Sequence, residues 1–178
     1  MKDLIYQQKA IRELVEKTIE LLSFSGQRRT LIFKAPTGSG KTVMASQLLA
    51  NLTEELQSRG DCPFNQVAYI WIAPNKLHEQ SYFKLKNSFA ETRLLRAMLY
   101  DEIDQADGYI HPGEILFVNW ESINKEKNII VRESEQNLSL YEITRRTQQD
   151  MGLCDFAVAG TYGRSGIVAF FPCRIFTF

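Results

Sequence analysis

The feature that most constrains this chain is a glycine-rich segment at residues 35–42, which reads Ala-Pro-Thr-Gly-Ser-Gly-Lys-Thr. The segment follows a short apolar run at residues 31–33, predicted to be a buried strand, and precedes a stretch with apolar residues at helical spacing. It fits A-x-x-G-x-G-K-[ST], a variant of the phosphate-binding loop in which Ala35 replaces the first glycine. The strand–loop–helix context favours a nucleotide-binding site over a Gly-rich turn with a chance Lys-Thr.

Each residue type in this loop has a physical role in holding a polyphosphate. The glycines allow tight turns, so that successive N–H groups surround an anion at a helix N-terminus. Lys41 can reach the β- and γ-phosphates and stabilise their charge, and the Thr42 hydroxyl can bind Mg²⁺. The loop alone leaves open whether the base is adenine or guanine. The predicted nucleotide-binding residues of the loop are Thr37, Gly38, Ser39, Gly40, Lys41 and Thr42.

Predicted strands and helices alternate along the chain, which indicates an α/β fold with a mainly parallel sheet covered by helices on both faces. An acidic segment at residues 101–114 is predicted to be a surface loop, and the polar residues 124–138 are predicted to be irregular. Strands are predicted at residues 31–33, 66–73, 96–100 and 115–118, and helices at residues 6–22, from the loop to residues 59–61, at 76–89 and at 139–151.

Composition excludes several classes of protein. The chain has 178 residues, 44% of them hydrophobic, with 21 basic and 21 acidic side chains, which argues against disorder and against a strongly basic nucleic-acid-coating protein. Residues 1–100 nevertheless hold 14 Lys/Arg and 9 Asp/Glu, so a mildly basic face is possible there. No apolar run is long enough for a membrane span, and no signal peptide is evident. Three widely spaced cysteines fit a reducing, cytoplasmic setting.

The loop and its neighbouring segments resemble superfamily 2 helicases and translocases, the DEAD/DEAH-like ATPases that depend on nucleic acid. Tyr-Gln-Gln-Lys-Ala-Ile at residues 6–11 resembles the family's adenine-reading Q-type motif, which implies that Gln7 selects ATP over GTP. The resemblance implies a three-layer, RecA-like P-loop NTPase lobe that binds ATP and Mg²⁺. The alternative for residues 6–11 is a polar helix start.

Two further segments resemble motifs that grip the nucleic-acid backbone. Residues 72–80 read Ile-Ala-Pro-Asn-Lys-Leu-His-Glu-Gln, and residues 117–123 read Phe-Val-Asn-Trp-Glu-Ser-Ile. A helix N-terminus and backbone amides facing a phosphate make physical sense in the first segment. The nucleic-acid contacts implied by the resemblance are Pro74, Asn75, Lys76, Asn119 and Ser122.

Two other side chains in these segments have plainer interpretations. His78 has no evident partner acid or nucleophile, so we expect a histidine on a helix surface and not a catalytic group. Trp120 could stack on a base, but packing in the core is the expectation we favour.

The amino-acid sequences of these segments look most like those of the restriction (Res) subunit of type III restriction–modification enzymes. That resemblance implies an ATP-driven DNA translocase, contacts with the DNA backbone, and a modification (methyltransferase) subunit that recognises the DNA site. It covers roughly residues 4–150 and divides the chain into three parts. These are residues 1–29 with the N-terminal helix and Q-type motif, residues 30–151 as the ATP-binding lobe, and residues 152–178 as a divergent apolar tail.

The family pattern breaks where a strand should end in Asp-Glu-x-His or Asp-Glu-x-Asp. The apolar run at residues 156–159 is followed by Gly-Thr-Tyr-Gly, Asp155 precedes it, and no Asp or Glu occurs later in the chain. The second RecA-like lobe and a nuclease motif are also missing. We therefore expect an incomplete lobe, from a truncated or frameshifted reading frame, that binds Mg-ATP weakly at best and hydrolyses it negligibly.

Three alternatives stay open at the level of sequence. The chain could be a fragment of a general DEAD/DEAH-like helicase acting on DNA or RNA. It could be a non-catalytic nucleotide-binding or DNA-binding module whose divergent C-terminus is intended. A small-molecule kinase using the same loop has least support, because no lid or acceptor-binding signature is recognisable.

Overall fold

A computed structural model describes residues 5–22, 29–36, 38–59, 67–103, 107–123, 138–150, 156–162 and 166–171. Helices and strands alternate through most of this range. A single 3-10 turn spans Tyr100–Glu102. In chain order the elements are α1 (Ile5–Leu22), β1 (Arg29–Lys34), α2 (Lys41–Ser58), β2 (Ala68–Ala73), α3 (Leu77–Thr92), β3 (Arg96–Leu99), β4 (Glu114–Asn119), α4 (Trp120–Ile123), α5 (Leu140–Asp150), β5 (Phe156–Tyr162) and β6 (Gly166–Phe171).

The strands form one six-stranded sheet in the order β1-β6-β5-β2-β4-β3. Strands β5, β2, β4 and β3 are parallel to one another, whereas β6 is antiparallel to both β5 and β1. Two reversals restore the direction, so β1 runs the same way as the four parallel strands. The carboxyl ends of β1, β2, β4 and β5 therefore lie at the same edge of the sheet. The prediction of a mainly parallel sheet in an incomplete RecA-like α/β lobe is confirmed.

Side chains on the two faces of the sheet enter two separate hydrophobic cores. Tyr69 and Trp71 of β2 and Phe117 of β4 pack with buried residues of α1, α2 and α3. On the opposite face, Ile70 and Leu116 pack with residues of α5. This alternation is the period-2 pattern of strands buried on both faces, and it produces the three layers that the sequence predicts.

A buried hydrogen bond fixes α2 against the central strand. The Tyr69 hydroxyl of β2 lies 2.8 Å from the Thr53 hydroxyl of α2, and Tyr69 is fully buried. Burial disfavours the phenolate and raises the pKa of Tyr69 well above its ordinary value. The hydroxyl therefore stays neutral and paired, which holds the helix that follows the glycine-rich loop in register with the sheet.

The predicted elements are present, with three corrections in their surroundings. The strand before the glycine-rich loop is longer than predicted and is not fully buried, because β1 is an edge strand and Ile32 is 56% exposed. The acidic segment is not all surface loop, since Ile103 and Ile110 are buried in the second core. Glu114 belongs to β4 and is 5% exposed, because its carboxylate accepts hydrogen bonds from the Arg96 side chain and the His111 backbone.

The described part of residues 152–178 belongs to the sheet. Strand β5 is parallel to β2, and β6 inserts between β5 and β1. The apolar run at residues 156–159 is thus the first part of β5. The antiparallel strand β6, which completes the link to β1, was not predicted.

Candidate functional site

The glycine-rich loop connects the carboxyl end of β1 to the first residue of α2. Gly38 and Gly40 have φ angles of 83° and 81°, in the left-handed region that side-chain-bearing residues avoid. Gly40 is also the residue that immediately precedes α2. These two glycines turn the backbone so that the loop wraps around the helix N-terminus, the arrangement that binds anions. Thr37 lies outside the described residues.

Lys41 folds back across this loop. Its ammonium group donates hydrogen bonds to the carbonyl oxygens of Ala35 and Pro36, at 3.0 and 2.9 Å. The charge is therefore held at the loop itself, where a phosphate oxygen would compete with two neutral carbonyls for it. Thr42 occupies the next position of α2 and is half-buried.

The first turn of α1 reaches the same loop. The Gln7 side-chain amide donates a hydrogen bond of 2.8 Å to the Ser39 carbonyl. A Cβ at Gly40 would lie 3.1 Å from the same Gln7 nitrogen, so a side chain at this position would push the Gln7 amide aside by a few tenths of an ångström. The Ser39 hydroxyl oxygen is buried with no hydrogen-bond partner in the part of the chain that the structure describes. The structure thus brings Gln7 and the loop together.

A second cluster lies at the same edge, where β2 and β4 end. Asn75, in the turn after β2, has a φ of 52°. Its N–H donates to both carboxylate oxygens of Glu121, at 2.9 and 2.8 Å, and its carbonyl accepts a 2.7 Å hydrogen bond from the Asn119 amide. The Asn119 side-chain oxygen in turn accepts from the Glu121 N–H at 2.8 Å. The two predicted backbone-gripping segments are therefore joined directly.

The predicted nucleic-acid residues occupy different positions in this cluster. Pro74 precedes the turn, Lys76 is exposed at the start of α3, and Ser122 lies in the short helix α4. Glu121 was not among the predicted site residues. The sequence gives only a weak indication of its role. Glu121 lies two residues after Asn119, but an acidic residue is not expected where a phosphate binds.

The prediction for His78 is wrong in its exposure. The side chain is only 12% exposed, and Nδ1 lies 3.0 Å from the Asn75 carbonyl oxygen. It therefore packs against the turn that precedes α3. Trp120 is partly buried at the start of α4.

Comparison with protein families decides the affiliation of the chain. The family described as "Type III restriction enzyme, res subunit" matches residues 1–151. The chain belongs to this family. Its members are helicase-like ATPases, and the matched range ends where the sequence pattern itself lapses. No curated protein and no solved structure matches the chain significantly.

In this member of the Res family, strand β5 brings no acidic residue to the edge of the sheet that carries the glycine-rich loop. The carboxyl end of β5, at Tyr162, lies at the same edge as the turn after β2. No Asp or Glu follows Asp155 in the sequence, so this strand brings no carboxylate to that edge. The residues present fit the phosphates of a nucleotide, and Thr42 would hold Mg²⁺ without an acidic partner from β5.

In the described parts of the chain, no helix combines the length and apolar character needed to cross a bilayer. Within the same residues, no group of three or more His, Cys, Asp or Glu side chains is arranged to hold a metal ion.

Proposed function

We propose that this chain forms the ATP-binding lobe of a DNA-dependent translocase in a type III restriction–modification system. The observation that carries the proposal is the Lys41 ammonium, held 2.9–3.0 Å from two carbonyls of a glycine-rich loop at the start of α2. In this position the lysine needs only to exchange carbonyl oxygens for phosphate oxygens. The family match over residues 1–151 supports the same assignment.

ATP would be held by the loop through Thr37, Gly38, Ser39 and Gly40, with Lys41 at the terminal phosphates. Bound Mg²⁺ neutralises charge on the phosphates, and the Thr42 hydroxyl would bind it. The Gln7 side chain, which donates to the Ser39 carbonyl, would lie beside the edge of adenine. A nucleotide would therefore contact α1 and the loop together, and its base would be chosen by Gln7.

DNA would run along the edge formed by the turns after β2 and β4. Strands β2 and β4 are neighbours, and neighbouring strands are about 4.8 Å apart. The turn after β2 and the start of α4 are therefore close enough to contact adjacent parts of the backbone of one DNA strand. Pro74, Asn75 and Lys76 on one side and Asn119 and Ser122 on the other are the proposed contacts. Such contacts position the protein without reading sequence, which a modification subunit would do.

The nucleotide assignment is tested by measuring MgATP affinity with the 178-residue chain by calorimetry. Lys41→Ala should weaken binding about tenfold or more, because charge-assisted hydrogen bonds contribute roughly 1.5–3 kcal/mol. Lys84→Ala is the matched control, since it removes an exposed lysine of α3 far along the chain from the loop. MgGTP should bind more weakly than MgATP, and Gln7→Ala should reduce that difference. Equal ATP affinity of wild type and Lys41→Ala would refute the site.

The second candidate is a general helicase that acts on RNA. The same proposed contacts favour it, because contacts with phosphates do not distinguish ribose from deoxyribose. Competition between duplex DNA and RNA of the same sequence for the wild-type chain separates the two. Preference for duplex DNA supports the restriction translocase, and preference for RNA supports the alternative.

A further inference from the structure

The main chain of Asn75 is held at both of its polar groups by the segment that joins β4 to α4. Glu121 accepts the Asn75 N–H with both carboxylate oxygens, and Asn119 donates to the Asn75 carbonyl. The Asn119 side chain also accepts the Glu121 N–H, so the two residues orient each other. Asn119 and Glu121 lie 44 and 46 positions after Asn75 in the sequence, and together they fix the turn at Asn75.

This turn is also held locally, because the Leu77 N–H donates to the Pro74 carbonyl at 3.2 Å and His78 Nδ1 lies 3.0 Å from the Asn75 carbonyl oxygen. Asn75 has a φ of 52°, and a left-handed conformation disfavours residues other than glycine, although asparagine tolerates it better than most. The peptide groups on either side of Asn75 set the direction in which Lys76 and the start of α3 leave β2. Without Glu121 and Asn119 the turn would keep these local contacts but would lose its hydrogen bonds to the end of β4 and the start of α4.

A carboxylate is an unexpected residue at an edge that binds phosphates, because like charges repel. The charge of Glu121 is directed at one N–H, with both oxygens within 2.9 Å of the Asn75 nitrogen. A hydrogen bond to an ionised acceptor is stronger than one between neutral groups. The position of this acid is therefore explained by what it does to the turn, and not by contact with a ligand.

We propose that Glu121 is a positioning residue that, with Asn119, locks the turn after β2 to the turn after β4. The lock makes the two segments one rigid unit, so that Lys76 and Asn119 meet a nucleic-acid backbone at a fixed separation. This inference rests on the proposed function, in which these turns bind the backbone of DNA. It assigns Asn119 to the lock as well as to the predicted contact surface.

The first experiment measures the lock without any ligand, by amide hydrogen exchange of the 178-residue chain followed by NMR. Glu121→Ala should speed exchange of the Asn75 amide at least tenfold relative to β2 amides, which report whether the sheet is intact. Glu121→Gln keeps an acceptor oxygen and should retain most of the protection. Unchanged protection of Asn75 in Glu121→Ala would overturn the lock. Should that variant fail to fold, Glu121→Asp replaces it, because its carboxylate is one methylene shorter.

The second experiment measures binding of a fluorescently labelled DNA duplex by anisotropy. Glu121→Ala should lose about tenfold in affinity, whereas Glu121→Gln should bind at least as well as wild type because it keeps the hydrogen bond and removes the charge. Glu79→Ala is the matched control, since Glu79 is an acid in the first turn of α3 with no described bond to Asn75.

The outcomes separate the lock from the proposed function. If Glu121→Ala binds DNA as tightly as Glu121→Gln, Glu121 acts only through its charge and the positioning role is wrong. If the wild-type chain binds no DNA while the Asn75 amide loses protection in Glu121→Ala, the lock exists and the proposed DNA-binding function fails. If neither DNA binding nor Asn75 protection responds to Glu121→Ala, the inference is wrong irrespective of the function.

Discussion

Gln7 and Gly40 fit each other closely enough to be studied as a pair. The Gln7 amide nitrogen lies 2.8 Å from the Ser39 carbonyl and 3.1 Å from the place where a Cβ on Gly40 would lie. Gly38 has almost the same φ, 83°, yet a Cβ there would meet no atom within 4 Å. The two glycines therefore share a requirement for backbone freedom, and only Gly40 has an additional requirement for space.

This difference predicts the result of a double-mutant cycle. Gly38→Ala and Gly40→Ala should each destabilise the chain by about 1–2 kcal/mol, the strain of a left-handed alanine. Combined with Gln7→Ala, Gly40→Ala should cost less than the sum of the single changes, because the clash with Gln7 is already removed. Gly38→Ala with Gln7→Ala should be additive. Urea unfolding of the single and double variants measures both couplings, and additivity in both pairs would contradict the contact.

For single residues, the sequence predicts which side chains could bind a phosphate, but it does not predict which side chains contact each other. The glycine–lysine loop is identified from residue types, because few alternatives satisfy a turn, a close backbone approach and a cation together. The lock formed by Glu121 is not predictable in this way. It depends on the adjacency of β2 and β4 in the sheet, which no local pattern specifies. His78 was misjudged for the same reason, because its partner is a carbonyl in a turn with a left-handed residue.

Among the helices, α5 has the most strongly paired acidic residue. The Glu142 carboxylate accepts hydrogen bonds from the Arg145 side chain at 2.6 and 2.8 Å and from Arg146 Nε at 2.9 Å. These bonds favour the ionised form and lower the pKa of Glu142 from 4.5 to about 2. Ser139 adds a local restraint, because its hydroxyl accepts the Glu142 N–H at 3.2 Å. The first turns of α5 are thus held by charge as well as by the buried side chains of Leu140 and Ile143.

Stability should therefore depend on pH through Glu142. Because the folded-state pKa is lower than the unfolded one, the stabilisation is present above about pH 4.5 and is lost as pH falls towards about 2. Glu142→Gln should lower the free energy of unfolding by roughly 1 kcal/mol at pH 7, since Arg145 is partly exposed, and by less at pH 3. Urea unfolding at the two pH values measures the change. Glu13→Gln, in an exposed pair with Lys9 at 3.9 Å, should have little effect at either.

Most elements could be predicted from the sequence, but their order in the sheet could not. Strands β2 and β4 are apolar runs with residues buried on both faces, which is why the sequence predicts both strands, with their ends within two residues of those observed. Strand β6 lies in a segment that departs from the family pattern, and its partners are β5 and the distant β1. Pairing over that separation leaves no periodic trace in either strand, so the antiparallel insertion is visible only in the structure.

At the scale of the whole molecule, the candidate sites share one edge of the sheet. Strands β1 and β2 are separated by β6 and β5, so the glycine-rich loop lies about 14 Å from the turn after β2, three strand spacings away. In the family pattern the acidic motif ends a strand of this same edge. Here the chain supplies the strand β5, but its sequence has no acid after Asp155.

The expected consequence is nucleotide binding without turnover. A water-activating carboxylate and charge-stabilising groups of this kind change the rate of phosphoryl transfer by orders of magnitude. Phosphate release by the 178-residue chain, measured with malachite green, should stay at the level of Lys41→Ala with or without duplex DNA. Turnover that DNA stimulates in the wild-type chain and that Lys41→Ala abolishes would show that the chain is a complete ATPase after all.

The position of β6 has a consequence for the order in which this protein acquires its structure during synthesis. The strand that leads into the glycine-rich loop pairs with β6, from Arg29 with Phe171 to Lys34 with Gly166. Closing loops of this length is entropically expensive and slow, and chains emerge from the ribosome N-terminus first. The glycine-rich loop is therefore translated well before the strand with which its own strand β1 pairs. Until β6 emerges, the edge of β1 stays open to chaperones or to another copy of the chain.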